Sequence, residues 1–433
     1  MTGDQQRAIE FLDAYADTLR PNTSSFACLE GAAGVGKTWL VAHWLERYAE
    51  RKPKARVLVT APTNKAVDVL RSKCGHLPVG FRTLDSYLGY RVKRDEDRQM
   101  QRSRNIQAAD QEPPSLLVVD EASMVKEEYH KELGHMRVPV LYVGDPYQLQ
   151  PVGETASLAF SVTSRIRMLE PTRQAADSPI HGLTDFLRNR VEDNRTFVLQ
   201  DLRVLAKKDD SRFVFTNARN VRDWAEKAIE KGLDCRIIAF TNAAVNEQNA
   251  AMHAIMYPSA PLFGVGELAL VNEAFEYSDD LMLLNGEMLR VNSCEEVAPV
   301  AGNVRVFEVR ANQLKNSLDV SGDVDDNELV LKVALDSEHA LRVHRDLTDK
   351  IYAARRTGDI ANADRYLEER APLNKLAPLR HSYASTVHKS QGSTYDVAIV
   401  DFPDIYRSRE MRARLMYVGA SRPSQFLVVS HTA

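Results

Sequence analysis

Short runs of β-branched and other apolar residues recur along the chain at the spacing of strands in a parallel sheet: Phe26 to Leu29, Val57 to Thr60, Leu116 to Val119 and Val138 to Val143. Between them lie amphipathic stretches with helical periodicity, among them Trp39 to Tyr48. A second set follows at Ile237 to Phe240, Val397 to Val400 and Phe426 to Val429, so the pattern predicts two α/β cores, the second split by more than a hundred residues. The splitting segment, about residues 260 to 375, has alternating stretches such as Phe263 to Leu270 and Leu329 to Leu335 and a turn at Asn285-Gly286-Glu287, which predicts a small β-barrel. Charged stretches from Glu338 to Arg356 and Ala361 to Glu369 predict a solvated helical hairpin. A smaller insertion between Gly89 and Pro114, rich in arginine, reads as a protruding hairpin, with a plain surface loop as the alternative. The sequence shows no internal repeat and no long Gly/Ser or Pro-rich linker.

Composition narrows the class. At roughly 150 residues per domain, 433 residues make room for about three domains. A content of 44% hydrophobic and 27% charged residues is that of a soluble globular protein, which excludes a disordered or collagen-like chain. No apolar run approaches the ~18 residues of a membrane span, and the N-terminus lacks the basic and apolar parts of a signal peptide, so a cytoplasmic protein is expected. Cys28, Cys74, Cys235 and Cys294 form no CxxC pair, so neither a disulfide framework nor a zinc site is suggested. A net charge of -4 gives no bulk case for nucleic acid binding, and any polynucleotide groove must be local.

Gly31-Ala32-Ala33-Gly34-Val35-Gly36-Lys37-Thr38 follows a predicted strand and opens a predicted helix, the context of a Walker A loop. Its glycines, Gly34 and Gly36 among them, let backbone N–H groups turn around phosphates; Lys37 adds a positive charge and Thr38 a hydroxyl for Mg²⁺. A nucleotide switch that never hydrolyses would share this loop. The apolar run Leu116 to Val119 ends in Asp120-Glu121, which would put one carboxylate at Mg²⁺ and the other beside an attacking water, and so argues for hydrolysis of the bound nucleotide.

Several further segments resemble the motifs of superfamily-one helicases. Ala61-Pro62-Thr63-Asn64-Lys65-Ala66 is similar to motif Ia, Asp120-Glu121-Ala122-Ser123-Met124 to motif II, and Gly144-Asp145-Pro146-Tyr147-Gln148-Leu149-Gln150-Pro151 to motif III. Thr386-Val387-His388-Lys389-Ser390-Gln391-Gly392 resembles motif V, and Tyr417-Val418-Gly419-Ala420-Ser421-Arg422 motif VI. Within the superfamily the likeness is to the phage Dda and RecD group, partly through Arg236 to Asn242.

This resemblance implies two RecA-like parallel-sheet P-loop cores, a pin and an SH3-like barrel insertion. The expected limits are 1–88 with 114–168 for the first core, 89–113 for the pin, 169–258 with 376–433 for the second core, and 259–375 for the insert. It also implies Gln5 for adenine recognition, Gln148 for sensing the γ-phosphate, Arg173 and Arg422 for transition-state charge, and Gly392 beside the nucleotide, with Lys37, Asp120 and Glu121 catalytic and Thr38 with Asp120 on Mg²⁺. DNA contacts are implied at Pro62, Thr63, Asn64 and Thr83 and at Thr241, Asn242, Thr386 and His388. Most of these are small hydroxyl or amide donors that bind phosphate and sugar without reading bases. Phe81, Tyr87, Phe240 and Phe275 are candidates for base stacking, with core packing the alternative.

Three positions depart from the family. Gly392-Ser393-Thr394-Tyr395 lacks a carboxylate that can hold the ribose, so ribose selectivity is expected to relax. Asp85 replaces a common histidine and is expected to point away from the strand. The pin from Arg91 to Glu112 has no aromatic residue to stack on a fork.

The resemblance implies an ATP-driven monomeric helicase moving 5′ to 3′ on single-stranded DNA and acting at single-strand/duplex junctions. A single-strand-binding protein or replication and recombination proteins are conceivable partners, and no membrane is involved. A protein-displacing translocase, an RNA or hybrid unwindase, and a motor subunit of a nuclease complex stand as alternatives.

Overall fold

The computed structural model describes all residues except 21, 95–99, 105–112, 152, 171–177, 207–210, 279–280, 316–322 and 432–433; between 91 and 112 it describes only the backbone of two strands. The chain divides into two units. Met1–Tyr90, Arg104–Gln248 and Tyr383–Ala433 form the first, and Arg91–Ser103 with Asn249–Ser382 the second.

The first unit begins with α1 (Gly3–Thr18), β1 (Ser25–Gly31), α2 (Lys37–Arg51), β2 (Val57–Ala61), α3 (Asn64–Cys74), β3 (Val79–Thr83) and the single turn α4 (Leu84–Tyr87). The chain then passes through a two-stranded ribbon assigned mostly to the second unit, β4 (Tyr90–Arg94) with β5 (Met100–Arg104), where a hairpin was expected. Then come β6 (Leu116–Val119), α5 (Glu127–His135), β7 (Pro139–Gly144) and β8 (Ser164–Met168). The sheet runs β3-β2-β6-β7-β1-β8 with every pair parallel. Parallel strands are covered on both faces, which is why they read as continuous apolar runs: Leu116 to Val119 are all fully buried. Leu12, Leu40, Trp44 and Leu70 fill one layer, and Tyr87, Tyr129, Leu133 and Tyr142 the other. Tyr87 is therefore core and unavailable to stack on a base.

The second sheet of this unit is built from α6 (Pro179–Glu192), α7 (Leu199–Arg203), β9 (Phe213–Asn217), α8 (Val221–Glu230), β10 (Cys235–Ala239) and α9 (Asn242–Met256). After the second unit's strands the chain returns with β18 (Ala384–Thr386), α12 (Val387–Ser390), β19 (Tyr395–Val400), α13 (Phe402–Tyr406), α14 (Arg412–Ala420) and β20 (Pro423–His431). Its order, β18-β10-β19-β20-β9, is again parallel throughout. In each sheet the third strand of the module lies at the edge, followed by the second, fourth, fifth and first.

The two sheets repeat in detail. Ala61 stands opposite Thr83 in the first and Ala239 opposite Thr386 in the second. The chain leaves these strands as Ala61-Pro62-Thr63-Asn64 and Ala239-Phe240-Thr241-Asn242, so a repeat that was not legible in the sequence exists at four residues in equal register. Such a short identity carries no weight until topology aligns it.

In the second unit, β11 (Leu268–Val271), β12 (Phe275–Ser278), β13 (Leu281–Leu283), β14 (Met288–Val300), β15 (Val304–Leu314), β16 (Val324–Ala334) and β17 (Leu379–His381) accompany the helical hairpin α10 (Ser337–Thr357) and α11 (Ile360–Asn374). Antiparallel pairing gives the order β16-β15-β14-β11-β17, with β12 and β13 as a separate pair. Among the described residues this order ends at β16 and β17, and a parallel bridge of Lys332 with Leu376, with the Ala377 amide donating to the Lys332 carbonyl at 2.7 Å, joins the β16 edge to the chain just before β17. The 13 residues of β14 and 11 each of β15 and β16 make a long meander. Leu289, Val291, Phe307, Val309, Leu329 and Leu331 form its core, against which Phe275 packs. The helical hairpin was expected to be solvated, but it buries one face: Ala340, Leu347 and Leu373 pack on Val304, Val306 and Ala334. Among the described residues no helix is long and apolar enough to cross a membrane.

Candidate active site

The loop after β1 turns through Gly34 and Gly36, whose φ angles of 83° and 84° lie in the left-handed region that side chains disfavour. That geometry aims backbone amides into a cleft lined by Gly34, Gly36, Lys37, Thr38, Asp120, Glu121, Gln148, Gly392 and Arg422. Lys37 Nζ donates to the carbonyls of Gly31 at 2.7 Å and Ala32 at 2.9 Å, so the ammonium folds back along its own loop.

Asp120 and Glu121 end β6. Glu121 adopts a left-handed conformation, φ 51°, which costs a non-glycine residue about 1–3 kcal/mol and is held by the surrounding structure. Burial raises the Asp120 carboxyl, opposed by hydrogen bonds from the Glu121 amide and Thr38 and by the charges of Lys37 and Lys73. Burial and then the neighbouring Asp120 push Glu121 up to about 7, while Arg422 and Lys37 oppose the shift. Gly392, at φ 76°, passes so near that a Cβ there would stand 3.5 Å from a Glu121 oxygen. The pairing of Thr38 hydroxyl with a buried carboxylate is a hard-oxygen donor set, which fits Mg²⁺.

Arg422 is 5% exposed, and its guanidinium is fixed by donation to the carbonyls of Val418 at 2.9 Å and Ser393 at 3.2 Å and to the Ser421 hydroxyl at 2.7 Å. Burial lowers its pKa, and Glu121 is the foremost charge restoring it. A rigid cation facing a carboxylate across a polar cleft can stabilise charge that develops on a transferred phosphoryl group.

The sequence reading missed the bonds that tie the two sheets together. Tyr417, on α14, donates its hydroxyl to Asp145 at 2.6 Å and accepts the amide of Ala33 in the phosphate loop at 3.0 Å. Arg414 donates to the carbonyls of Pro146 and Gln148, both at 2.7 Å. Gln391 donates to Gln148 Oε1 at 3.0 Å and to Ser123 Oγ at 3.1 Å. Tyr417, Asp145 and Gln391 stand inside segments already singled out, so membership in a motif was the available signal.

One expected site residue, Gln5, is not among those that line the cleft. Gln5 is buried and its carbonyl end accepts the Thr2 amide at 2.9 Å, forming a capping box at the start of α1. Arg173 lies outside the described residues.

The candidate polynucleotide residues fall on the repeated turns. Thr63 caps α3, Thr83 caps α4 and Thr386 caps α12, each hydroxyl accepting an amide three residues on. Thr241 does the same for Ala244 while donating to the buried carboxylate of Asp404, which also accepts the amides of Phe240 and Thr241. Pro62 and Asn64 flank the first turn and Asn242 is exposed beside the second. His388 lies with its ring 6.4 Å from that of Phe240, and burial lowers its pKa. Asp85 accepts a hydrogen bond from the Tyr129 hydroxyl, so its carboxylate is tied into the fold.

Residues 12–200 match the family described as an AAA domain, and residues 381–430 match the UvrD-like helicase C-terminal domain. The ATP-dependent DNA helicase dda of enterobacteria phage T4 is 25% identical over 427 residues, covering 91% of this chain and 92% of its own. An uncharacterized protein of Acanthamoeba polyphaga mimivirus is 23% identical over 481 residues, covering 94% and 96%. The fold is shared with the Pif1 helicase of Candida albicans, TM-score 0.50 at 17% identity over 100% of this chain and 94% of that one. The Bacteroides Pif1 helicase in complex with ADP-AlF3 and ssDNA gives 0.50 at 16%, covering 100% and 92%. One domain match thus falls on the phosphate-loop sheet and the other on the sheet that supplies Arg422, and with the phage relative they support a superfamily-one helicase of the Dda-like kind.

Proposed function

We propose that this protein is an ATP-dependent DNA helicase that moves 5′ to 3′ along single-stranded DNA and separates duplex ahead of it. The observation that carries the reading is the pairing of a phosphate loop and an acid pair on one sheet with a buried arginine from the other. Lys37 and the loop amides would bind the β- and γ-phosphates, Glu121 would orient and deprotonate the attacking water, and Arg422 would meet the developing charge. Gln148, bonded to Gln391, would report the γ-phosphate to the second sheet. Arg173 is proposed as a second cation. Gln5, whose carbonyl oxygen already accepts from Thr2, would offer its amide nitrogen to an adenine edge. Thr38 and Asp120 would hold Mg²⁺, which supplies charge neutralisation at the phosphates.

The equal turns at Thr63 and Thr241, and at Thr83 and Thr386, support two like sets of phosphate contacts, with Pro62, Asn64, Asn242 and His388 beside them. Contacts of this kind favour sequence-independent binding with a salt slope of about -0.7 per neutralised phosphate. The relatives named above support DNA as the track: one is a DNA helicase and one is in complex with ssDNA.

Strand displacement with ATP and Mg²⁺ on duplexes carrying a 5′ or a 3′ single-stranded tail tests the proposal, with Lys37→Ala as the blank. Opening from the 5′ tail alone supports it, and opening from the 3′ tail alone rejects the polarity. DNA-stimulated hydrolysis without strand separation would favour a translocase.

A further inference from the structure

Far from the nucleotide cleft in sequence, three potential metal ligands converge inside the second unit: His253 near the end of α9, Glu267 just before β11, and His381 closing β17. One donor atom from each lies within 4.8 Å of the others. Glu267 is 2% exposed and His253 8%. His381 Nδ1 stands 2.8 Å from Glu267 Oε1, and His253 Nδ1 stands 3.0 Å from Oε2, which also accepts the Gly264 amide at 2.8 Å. The two imidazoles stack with centroids 4.4 Å apart and planes 20° from parallel.

Proton counting makes this arrangement unusual. The other nitrogen of His253, Nε2, is 3.0 Å from the carbonyl oxygen of Ala260, which can only accept. His253 therefore faces an acceptor at each ring nitrogen, whereas a neutral imidazole carries one proton. Either the ring is an imidazolium stacked on a second histidine, or Nε2–H donates to Ala260 and the Nδ1 lone pair shares a cation with the carboxylate. The second solution matches a recurring feature of metal-binding histidines, whose other N–H rests on a backbone carbonyl or carboxylate. Its nitrogen-to-oxygen distances need to change little, while the two rings, now 20° from parallel, turn so that each in-plane Nδ1 lone pair faces the ion. Ligand atoms around a tetrahedral zinc ion, each about 2.0–2.1 Å from it, are roughly 3.3 Å apart. The imidazole-to-carboxylate separations here are 2.8 to 3.3 Å. Two imidazoles and one carboxylate suit Zn²⁺ rather than Mg²⁺ or Ca²⁺, which prefer oxygen ligands.

We propose that His253, Glu267 and His381 bind one Zn²⁺-class ion, with water at the fourth position, and that this ion fastens the end of α9 to β11 and β17. Neither the cysteine pattern nor sequence spacing hints at it, because the three residues are separated by 14 and 114 positions and none belongs to a motif.

The test uses the tag-free full chain, stripped with chelator and without nucleotide. Zn²⁺ is titrated by calorimetry and Co²⁺ by visible absorption. The expected result is one ion per chain, the d–d absorption of a tetrahedral cobalt site, and an unfolding midpoint that Zn²⁺ raises and chelator lowers. His253→Asn and His381→Asn should lose the uptake, while Thr38→Ala, in the nucleotide cleft, should keep it. Uptake that persists in both histidine variants overturns the proposal. So does a wild-type chain that takes up no ion and has a midpoint indifferent to Zn²⁺, which would make the cluster a proton-held clasp. Should the histidine variants fail to fold, the wild-type titration decides alone.

Discussion

Gln391 and Gln148 share a buried hydrogen bond of 3.0 Å across 243 residues of sequence, joining the turn after α12 to the loop after β7. The acceptor is the side chain proposed to meet the γ-phosphate, and the donor is three residues from His388 beside the proposed DNA contacts. A neutral hydrogen bond is worth about 0.5–1.5 kcal/mol, and an orphaned buried partner costs more. Gln391→Ala should therefore lower DNA stimulation of ATP hydrolysis about tenfold while leaving nucleotide affinity near wild type. Steady-state hydrolysis with and without single-stranded DNA, beside equilibrium binding of a fluorescent nucleotide, checks both halves.

Lys37→Ala and Glu121→Gln should both abolish turnover, by different routes. Removing a general base costs typically 10²- to 10⁴-fold in rate, and the Gln variant keeps the shape of the cleft, so it should still bind nucleotide. Lys37→Ala should lose binding as well. Substantial turnover in Glu121→Gln would assign the base elsewhere.

Glu121 also sets a pH dependence. Its carboxyl, ordinarily near 4.5, is pushed up to about 7 in the nucleotide-free protein, so below that pH the base is protonated. Activity should fall as pH drops through about 7 in kcat/KM, which reports the free enzyme. In kcat the fall should come at lower pH, because Mg²⁺ beside Asp120 favours the charged carboxylate. The limb should be absent from whatever residual rate Glu121→Gln retains.

Asp404 accepts the amides of Phe240 and Thr241 and the Thr241 hydroxyl, and so fixes the second of the repeated turns. Bonds to a buried carboxylate contribute about 1.5–3 kcal/mol each, and Asp404→Asn should loosen the turn without touching the cleft. Single-stranded DNA affinity should fall about tenfold or more while DNA-free ATP hydrolysis is retained. Fluorescence anisotropy over a salt series, with thermal unfolding as a control, measures this.

Replacing residues 92–109 with a short Gly/Ser turn should spare translocation and reduce duplex separation. Unchanged unwinding would remove the β4–β5 ribbon from that role.

The nucleotide cleft was legible because phosphate chemistry demands glycines, a lysine and paired acids close together in sequence, next to a strand. The strands were legible for a related reason: a parallel strand buried on both faces, such as Leu116 to Val119, must be apolar throughout. What escaped was set by contacts between distant segments. Tyr417 and Asp145 meet only when two sheets are packed, and their places in two motifs do not say that they pair with each other. Between 259 and 375 alternation marked strands and their faces but not their length, and β14 alone runs 13 residues. Gln5, read as an adenine contact, is held at the helix start by Thr2, a local use that its neighbourhood could equally have predicted.

The first strands of the two modules, β1 and β9, occupy matching places in sheets of matching order, yet their exits differ. One opens into glycines and a lysine; the other reads Asn217-Ala218-Arg219-Asn220 before α8. A gene that doubled an ancestral nucleotide-binding module and let one copy lose its phosphate loop would leave this record. In a ring of identical subunits every junction can fire, and the order of firing must be coordinated. Here, among the described residues, the first sheet carries a phosphate loop and the matching exit of the second does not, so the two halves are not interchangeable.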